Sequence, residues 1–385
     1  MKKYETRIVV ITRETRLEKV LASQNTLSQA RFYIQQLGSD FAEYEEEHRQ
    51  YNASLRQTRQ EVEALGNIQL LERKYLPNFI FAPDDVVVVV GQDGLVANTI
   101  KYLDNQPVIG INPDARRWDG VLLPFTPKDA AKIIQETLAR KRKIEEVTMA
   151  KVRIQNGQEL LAVNDFFIGQ RTHTSARYII KHGGLKEPQS SSGVIVSTGL
   201  GSTGWMKSVI AGASRISSSV IGHPYGGQQE NDHLVREDDK MASQEASAPM
   251  SDDEMSLDAS GDYGMEVLAA GNAFTETTAP APSKMLSRRK TQKKSAFGVS
   301  ELSKVIGKWA SPELIFAVRE PFPSKTTGTH LVFGKISPDE PLKIESLMGE
   351  NGVIFSDGME SDFLSFNSGT EALITLADKR GHIVV

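Results

Sequence analysis

The 385-residue sequence contains no cysteine. Its absence excludes disulfide scaffolds, thiolate zinc sites, iron–sulfur clusters and cysteine nucleophiles together. It is compatible with a reducing compartment. Histidine is sparse. The seven residues at 48, 173, 182, 223, 233, 330 and 382 show no His-x-x-x-His or comparable metal spacing. No residue is therefore assigned as a metal ligand. Long apolar runs are also missing. Residues 8–11 (Ile-Val-Val-Ile) are too short for a signal-peptide core, and Arg13 and Glu14 follow directly. No run approaches the ~20 apolar residues of a membrane span. The expectation is a cytoplasmic protein with no membrane partner.

What is present fits a globular chain of about two domains: 39% hydrophobic residues, 24% charged residues and a formal net charge of −4. The charge is unevenly spread. Residues 229–266 carry twelve acidic side chains against two basic ones, whereas residues 284–294 carry six basic ones and no acidic one. Over residues 212–298 Ser, Ala, Gly, Asp and Glu dominate and periodicity vanishes, which predicts a disordered insertion. The basic cluster at 288–294 lacks interleaved aromatics, so it reads as solvated linker and no nucleic-acid partner is expected.

Hydrophobic patterning divides the rest. Residues 1–145 read as an α/β domain, opening on an apolar strand at 7–12 followed by helical stretches at 17–37 and 40–65. Residues 85–90 supply a five-valine strand, 91–94 a Gly-rich turn, 95–103 a helix and 107–112 a second buried strand. This βαβ order places a ligand at the carboxyl edge of a parallel sheet. Residues 127–143 read as another helix. Residues 146–211 and 299–385 then read as a β-rich domain, with strands at 146–154, 159–168, 177–181 and 192–198. Further strands are expected at 313–319, 330–336, 341–346, 352–356 and 371–376.

Three segments carry candidate chemistry. In Gly91-Gln92-Asp93-Gly94 the glycines allow unusual backbone angles and close approach of phosphate oxygens, and Asp93 points from the strand end into the crevice. Asn164-Asp165 pairs an amide with a carboxylate, a donor and acceptor set suited to ribose hydroxyls or a carboxamide. Residues 197–204 (Ser-Thr-Gly-Leu-Gly-Ser-Thr-Gly) offer three glycines and four hydroxyls. Each alone reads equally as a turn or cap. His173 reads as a strand-turn cap and residues 357–360 as a β-hairpin turn.

In this order the three segments resemble the motifs of the NAD kinase family. Gly91 to Leu95 resembles its Gly-Gly-Asp-Gly-Thr loop, Asn164-Asp165 its Asn-Glu/Asp motif, and Gly199 to Trp205 its Thr-Gly-Ser-Thr-Ala-Tyr loop. The wording around Asn164 and Ser197 is most similar to the mitochondrial-type branch, and Asp357-Gly358 resembles the family's late Asp-Gly turn. Gln92, Leu95 and Trp205 depart from the family's Gly, Thr and Tyr. The resemblance implies an NAD kinase-like architecture, an α/β N-terminal domain with a Gly-rich loop plus a β-rich C-terminal domain, in a homo-oligomer. It implies phosphoryl transfer from ATP or polyphosphate, with Mg²⁺ carried by the nucleotide, to the 2′-hydroxyl of the adenosine ribose of NAD. Asp93 would be the catalytic residue, and Gly91, Gly94, Asn164, Asp165, Gly201, Ser202 and Thr203 would bind the nucleotides. The alternatives are a catalytically weak NAD(P)-binding sensor, or a kinase of the same superfamily acting on a lipid or sugar hydroxyl.

Overall fold

The computed structural model describes residues 6–221, 305–359 and 362–385. The acidic and basic blocks and most of the expected insertion lie outside them. Apart from Ile221, they belong to one compact unit.

The chain opens with β1 (Arg7–Thr12), α1 (Arg16–Gln24), α2 (Leu27–Gln36), α3 (Phe41–Glu63) and β2 (Asn67–Glu72). It continues through β3 (Val86–Val90), α4 (Asp93–Ile100), β4 (Val108–Ile111) and α5 (Ala130–Leu138). The β-rich part contains β5 (Ile144–Ile154), β6 (Glu159–Ala162), β7 (Asp165–Gln170), β8 (Ala176–His182), β9 (Leu185–Ser191) and β10 (Gly193–Ser197). After α6 (Trp205–Ile221) come β11 (Leu314–Arg319), β12 (Phe333–Ile336), β13 (Leu342–Ser346), β14 (Gly352–Ser356), β15 (Phe363–Ser365) and β16 (Glu371–Val384).

Strands β2, β1, β3 and β4 pair in parallel, in that order. The alternating residues of β1 and β3 serve two cores. Val9, Ile11, Val87 and Val89 face α4, whereas Ile8, Val10, Val86, Val88 and Val90 face α3 and α5. Both faces are covered, so these strands are apolar throughout. β16 runs parallel to β4 at Ile383↔Val108 and antiparallel to β13 and β5, which joins the parallel strands to the β-rich part in one ten-stranded sheet. A second sheet, ordered β12-β11-β10-β7-β14-β15, is antiparallel, and its large core of Phe166, Tyr178, Phe316 and Phe366 lies between the two sheets. The architecture is thus an α/β N-terminal part and a β-rich C-terminal part, as the patterning leads one to expect, with a shared strand.

Several expectations need correction. The single helix at 17–37 is two helices, because Asn25 adopts a left-handed conformation at φ +63 and Thr26 caps α2. The strand expected at 159–168 is two strands of different sheets, separated at residues 163–164. The start of the segment expected to be disordered, residues 212–221, is helical, since α6 runs on to Ile221. Two edge strands, β2 and β9, were not expected. β2 is largely exposed, and β9 carries Pro188, which an edge tolerates. The turn after β14 is indeed a hairpin, with Phe355 opposite Phe363 on β15. No described helix is long and apolar enough to cross a membrane.

Glu187 on β9 anchors the 320–331 loop. Its carboxylate accepts hydrogen bonds from the backbone N–H groups of His330 (3.0 Å) and Leu331 (3.0 Å) and from Gln189 Nε2 (2.6 Å), and pairs with His330 Nδ1 (2.8 Å). Burial raises its pKa, but these bonds outweigh burial and hold it at about 2 against an ordinary 4.5. Between those values the folded chain binds fewer protons than the unfolded chain. The contribution is therefore complete above pH 4.5 and is lost as pH falls through 2. Glu187→Gln is expected to cost roughly 2 kcal/mol at pH 7 and to flatten the acid limb of the stability curve. Thermal unfolding at pH 7 and pH 3 checks this; equal losses at both values would refute it.

Candidate functional site

The βα turn after β3 builds the site's first wall. Asp93 opens α4, and its carboxylate accepts the backbone N–H of Leu122 (2.7 Å) and Val121 (3.3 Å), which ties the 113–122 loop to the turn. Neither Gly91 nor Gly94 has a positive φ, so the expected special backbone angles are absent. A Cβ at Gly91 would fall 2.7 Å from Leu95 Cδ2, the tip of a side chain that can turn aside. Around Gly94 the space is open. Leu95 is buried and belongs to the core beneath the turn.

The second and third motifs meet at Asn164. Its backbone oxygen accepts the N–H of Thr198 (2.9 Å), and Gly201 packs so closely on its backbone that a Cβ would collide with the Asn164 carbonyl oxygen. The hydroxyls of the third motif are turned inward. Ser202 Oγ donates to Gly199 O (2.6 Å) and accepts from Gly307 N (3.0 Å), and Thr203 Oγ1 donates to Leu200 O (3.0 Å). Trp205 stacks on Phe167 (5.7 Å between centroids), which also stacks on Phe355. Leu95, Val163 and Leu200, one residue within or beside each motif, belong to a single buried cluster.

The hairpin turn after β14 fastens this arrangement. Asp357, at φ +54, accepts the N–H groups of Val163 (3.1 Å) and Asn164 (2.6 Å), while its own N–H donates to Asp165 O (2.9 Å). Lys101, just past α4, reaches the turn from the other side. Its Nζ lies 3.4 Å from Asp357 Oδ2, 2.5 Å from Asp362 Oδ2 and 2.8 Å from Ser356 Oγ. Burial pushes the Asp357 carboxyl up, against the pull of Lys101 and the Asn164 and Val163 amides. Asp165 is 8% exposed, and its carboxylate has no hydrogen-bond donor among the described residues. Burial, then the nearby Asp357 charge, pushes its pKa up to about 7.

A cavity of about 1210 Å³ opens beside the turn. Gln92, Asn98 and Tyr102 line it from the βα unit, Met359 and Asp362 from the hairpin turn, and Arg117 and Trp118 from the loop that Asp93 holds. Its outer wall carries Arg13, Arg16, Lys19, Arg73 and Lys74, interspersed with Glu14, Glu43, Glu47 and Glu72. Arg13 and Arg16 are committed to Glu47 (2.8 and 2.6 Å) and Lys74 to Glu72 (2.6 Å). Lys19 and Arg73 form no ion pair among the described residues, and Arg117 reaches Asp114 only at 4.0 Å. Three cations are therefore available to an incoming anion.

None of the eight residues singled out from sequence lines this cavity; Gln92, between Gly91 and Asp93, does. The lining residues Arg13, Asn98, Tyr102, Met359 and Asp362 escaped sequence reasoning. Asn98 carried a signal, being the only amide in the otherwise largely apolar helix Asp93–Ile100. Asp362 and Lys101 carried none, since their pairing spans 261 positions. Among the described residues no group of three His, Asp or Glu could hold a metal ion.

The fold is a parallel α/β part joined to a β-rich part, with motif loops gathered where the two meet. No family model matches the chain, nor does any curated protein. Among solved structures it is similar to an NAD kinase from Archaeoglobus fulgidus in complex with ATP, at 14% identity and a TM-score of 0.49, covering 99% of this chain and 94% of that one. It is also similar to yeast NADH kinase complexed with NADH, at 11% identity and a TM-score of 0.48, covering 99% of this chain and 84% of that one. At these identities and scores neither likeness bears on what this chain binds.

The elevated Asp165 pKa makes a testable statement. The folded chain binds more protons than the unfolded chain between the ordinary 3.8 and about 7. Asp165 therefore lowers stability as pH rises through that window. Asp165→Asn, which carries no proton to lose, is expected to be more stable than the parent at pH 8 by on the order of 1–3 kcal/mol, with little difference at pH 4. Urea unfolding at the two pH values checks it. A variant destabilised at pH 8 would mean that the carboxylate is paired.

Proposed function

We propose that this chain is an NAD kinase, transferring a phosphoryl group from ATP or polyphosphate to the 2′-hydroxyl of the adenosine ribose of NAD. The observation that carries the reading is the convergence of three motifs far apart in sequence. Leu95, Val163 and Leu200 pack in one core, and Asp357 bridges Asn164 to Lys101 beside the same cavity.

Phosphoryl transfer passes through a loose transition state, so catalysis is mainly positioning and charge neutralisation. Lys19, Arg73 and Arg117 are the cations free to meet donor phosphates, which would bring Mg²⁺ with them as part of the substrate. Asp93 keeps lone pairs beyond the two that Leu122 and Val121 occupy, and these orient the attacking hydroxyl and accept its proton late in the step. Asn164 and Asp165 hold the dinucleotide, Asp165 exchanging a proton near neutrality. Gly91, Gly94, Gly201, Ser202 and Thr203 shape the turns that carry these groups.

A binding-only reading has its own support, because Gln92 occupies the cavity wall and Asp93 is tethered by two amides. The two readings part in one experiment. Purified protein with NAD, MgATP or polyphosphate, coupled to an NADP-specific dehydrogenase, is expected to form NADP. Asp93→Asn, which still accepts from Leu122, is expected to lower kcat/KM by roughly 100-fold or more while nucleotide binding persists. Binding of NAD without turnover with either donor would leave the sensor; turnover unchanged in Asp93→Asn would remove Asp93 from the mechanism.

A further inference from the structure

The ten-residue helix α2 is thinly anchored. Only its Ala30 and Ile34 are buried, Ile34 in a small core with Leu17 and Phe41. A helix this short draws its stability from packing rather than from propensity. Its outward side is nonetheless apolar: Phe32 is 65% exposed, Leu37 64%, Leu27 47% and Tyr33 43%. Charge is scarce there as well. Residues 23–37 contain one charged side chain in fifteen, against 24% for the whole chain. That one, Arg31, is engaged by Glu45 (3.7 Å) and lies over the Phe41 ring. The neighbouring α3 shows the ordinary pattern of a solvated helix, with Glu43, Glu45, Arg49, Arg56 and Arg59 exposed.

Phe32 stands as a ridge between two hollows. Ser28 and Phe32 line both, one hollow of about 570 Å³ toward Tyr33 and Gln36 and one of about 220 Å³ toward Leu27 and Gln35. Knob and hollow thus sit on one helix face, which makes the surface self-complementary. We propose that α2 is a self-association face, on which two copies of this chain pair about a twofold axis with their α2 helices antiparallel. With the axis level with Ala30, Phe32 seats over the partner's Ser28, whose small side chain leaves room, and Gln24 meets the partner's Gln36. An isologous contact requires one patch to supply both sides in this way. The exposed parts of the four apolar side chains amount to roughly 400 Å² per copy. The flanking glutamines extend that face toward the ~800 Å² per partner of a standard interface. An aromatic centre depleted of charge is the composition of an interface core. A lipid surface or a nucleic acid would call for free cations here, and the sole arginine is engaged. The pairing is independent of the phosphotransferase reading, yet it bears on the cavity. The core that seats Ile34 also seats α1 and α3, which supply Arg16, Lys19 and Glu47 to the outer wall.

The test is sedimentation velocity of the full chain from about 1 to about 100 µM. The parent is expected to rise from 42.5 kDa toward twice that mass. Phe32→Glu, at a position mostly open to solvent, is expected to weaken association at least tenfold, because it buries an unpaired charge. Ile80→Glu, at a residue 86% exposed on another part of the surface, is expected to leave association unchanged. Because the chain has no cysteine, pairing can also be read by cross-linking. Ser28→Cys mixed with Phe32→Cys, with oxidised glutathione accepting the two electrons, is expected to give a disulfide-linked pair. Ser28→Cys mixed with Ile80→Cys is the control and is expected to give none. The cross-link carries the test should Phe32→Glu fail to fold. A parent that stays at 42.5 kDa at the highest concentration overturns the proposal and leaves the face to a different partner. Association undiminished in Phe32→Glu, or cross-linking no greater than in the control, overturns it too.

Discussion

The Asp357 carboxylate is nearly enclosed, yet it sits at the one point where the helix after β3, the break between β6 and β7, and the β14–β15 hairpin approach one another. It stays there because the backbone N–H groups of Val163 and Asn164 point at it and Lys101 lies 3.4 Å away. Burying a charge costs several kcal/mol unless it is paired and hydrogen-bonded. Here the compensating groups come from two stretches of chain remote from the hairpin, so the arrangement holds only when all three segments are in place. The left-handed φ of Asp357 is local strain that the same set of bonds holds in place, and Gly358 continues the turn at φ +68 without strain. Removing Lys101 would leave Asp357 and Asp362 facing each other without a cation.

Once that node is fixed, the cavity follows. The hairpin turn places Met359 and Asp362 opposite Asn98 and Tyr102, and Asp93 draws the 113–122 loop in to supply Arg117 and Trp118. The outer wall comes from α1, α3 and the segment after β2, and there Glu47 absorbs two arginines at once. Burial opposes ionisation of Glu47, but Arg16 and Arg13 outweigh it and pull its pKa down. That pairing fixes the entrance and leaves Lys19 and Arg73 as the mobile charges. Six cations and five carboxylates line the cavity, so its affinity for anions depends on which cations are free rather than on net charge.

Much of this was legible in the sequence, and for physical reasons. Valine runs such as β3 are apolar because both of their faces are covered, and an apolar run bounded by Gly91 admits few other readings. The turn expected at 357–360 announces itself by Asp357-Gly358. The missed strands are the ones with little to bury: β2 and β9 lie at sheet edges, where solvent tolerates Gln69, Lys186 and Pro188. The break at Asn25 and the division of 159–168 between two sheets depend on tertiary partners that no local window contains. For the site, the motif segments were visible, but the cavity lining was not. Arg13 lies near one end of the chain and Asp362 near the other, and only the fold brings them to one wall.

Four unfavourable polar groups stand out among the described residues, and two of them lie in one neighbourhood. Asp165 is buried without a donor beside a second carboxylate, and Asn98 is buried with its oxygen unpaired. Elsewhere in the described core the buried polar groups are mostly satisfied, as with Tyr178, which bonds Gln189 and Ser191, and Thr198, which bonds Val163. A chain able to satisfy those groups could replace Asn98 by leucine and Asp165 by asparagine at no structural cost. Both costs sit beside the Lys101–Asp357–Asp362 cluster, and Arg13 Nε and His382 Nδ1 are two further buried atoms without a partner among the described residues. The node that organises the fold is thus also where stability is given up.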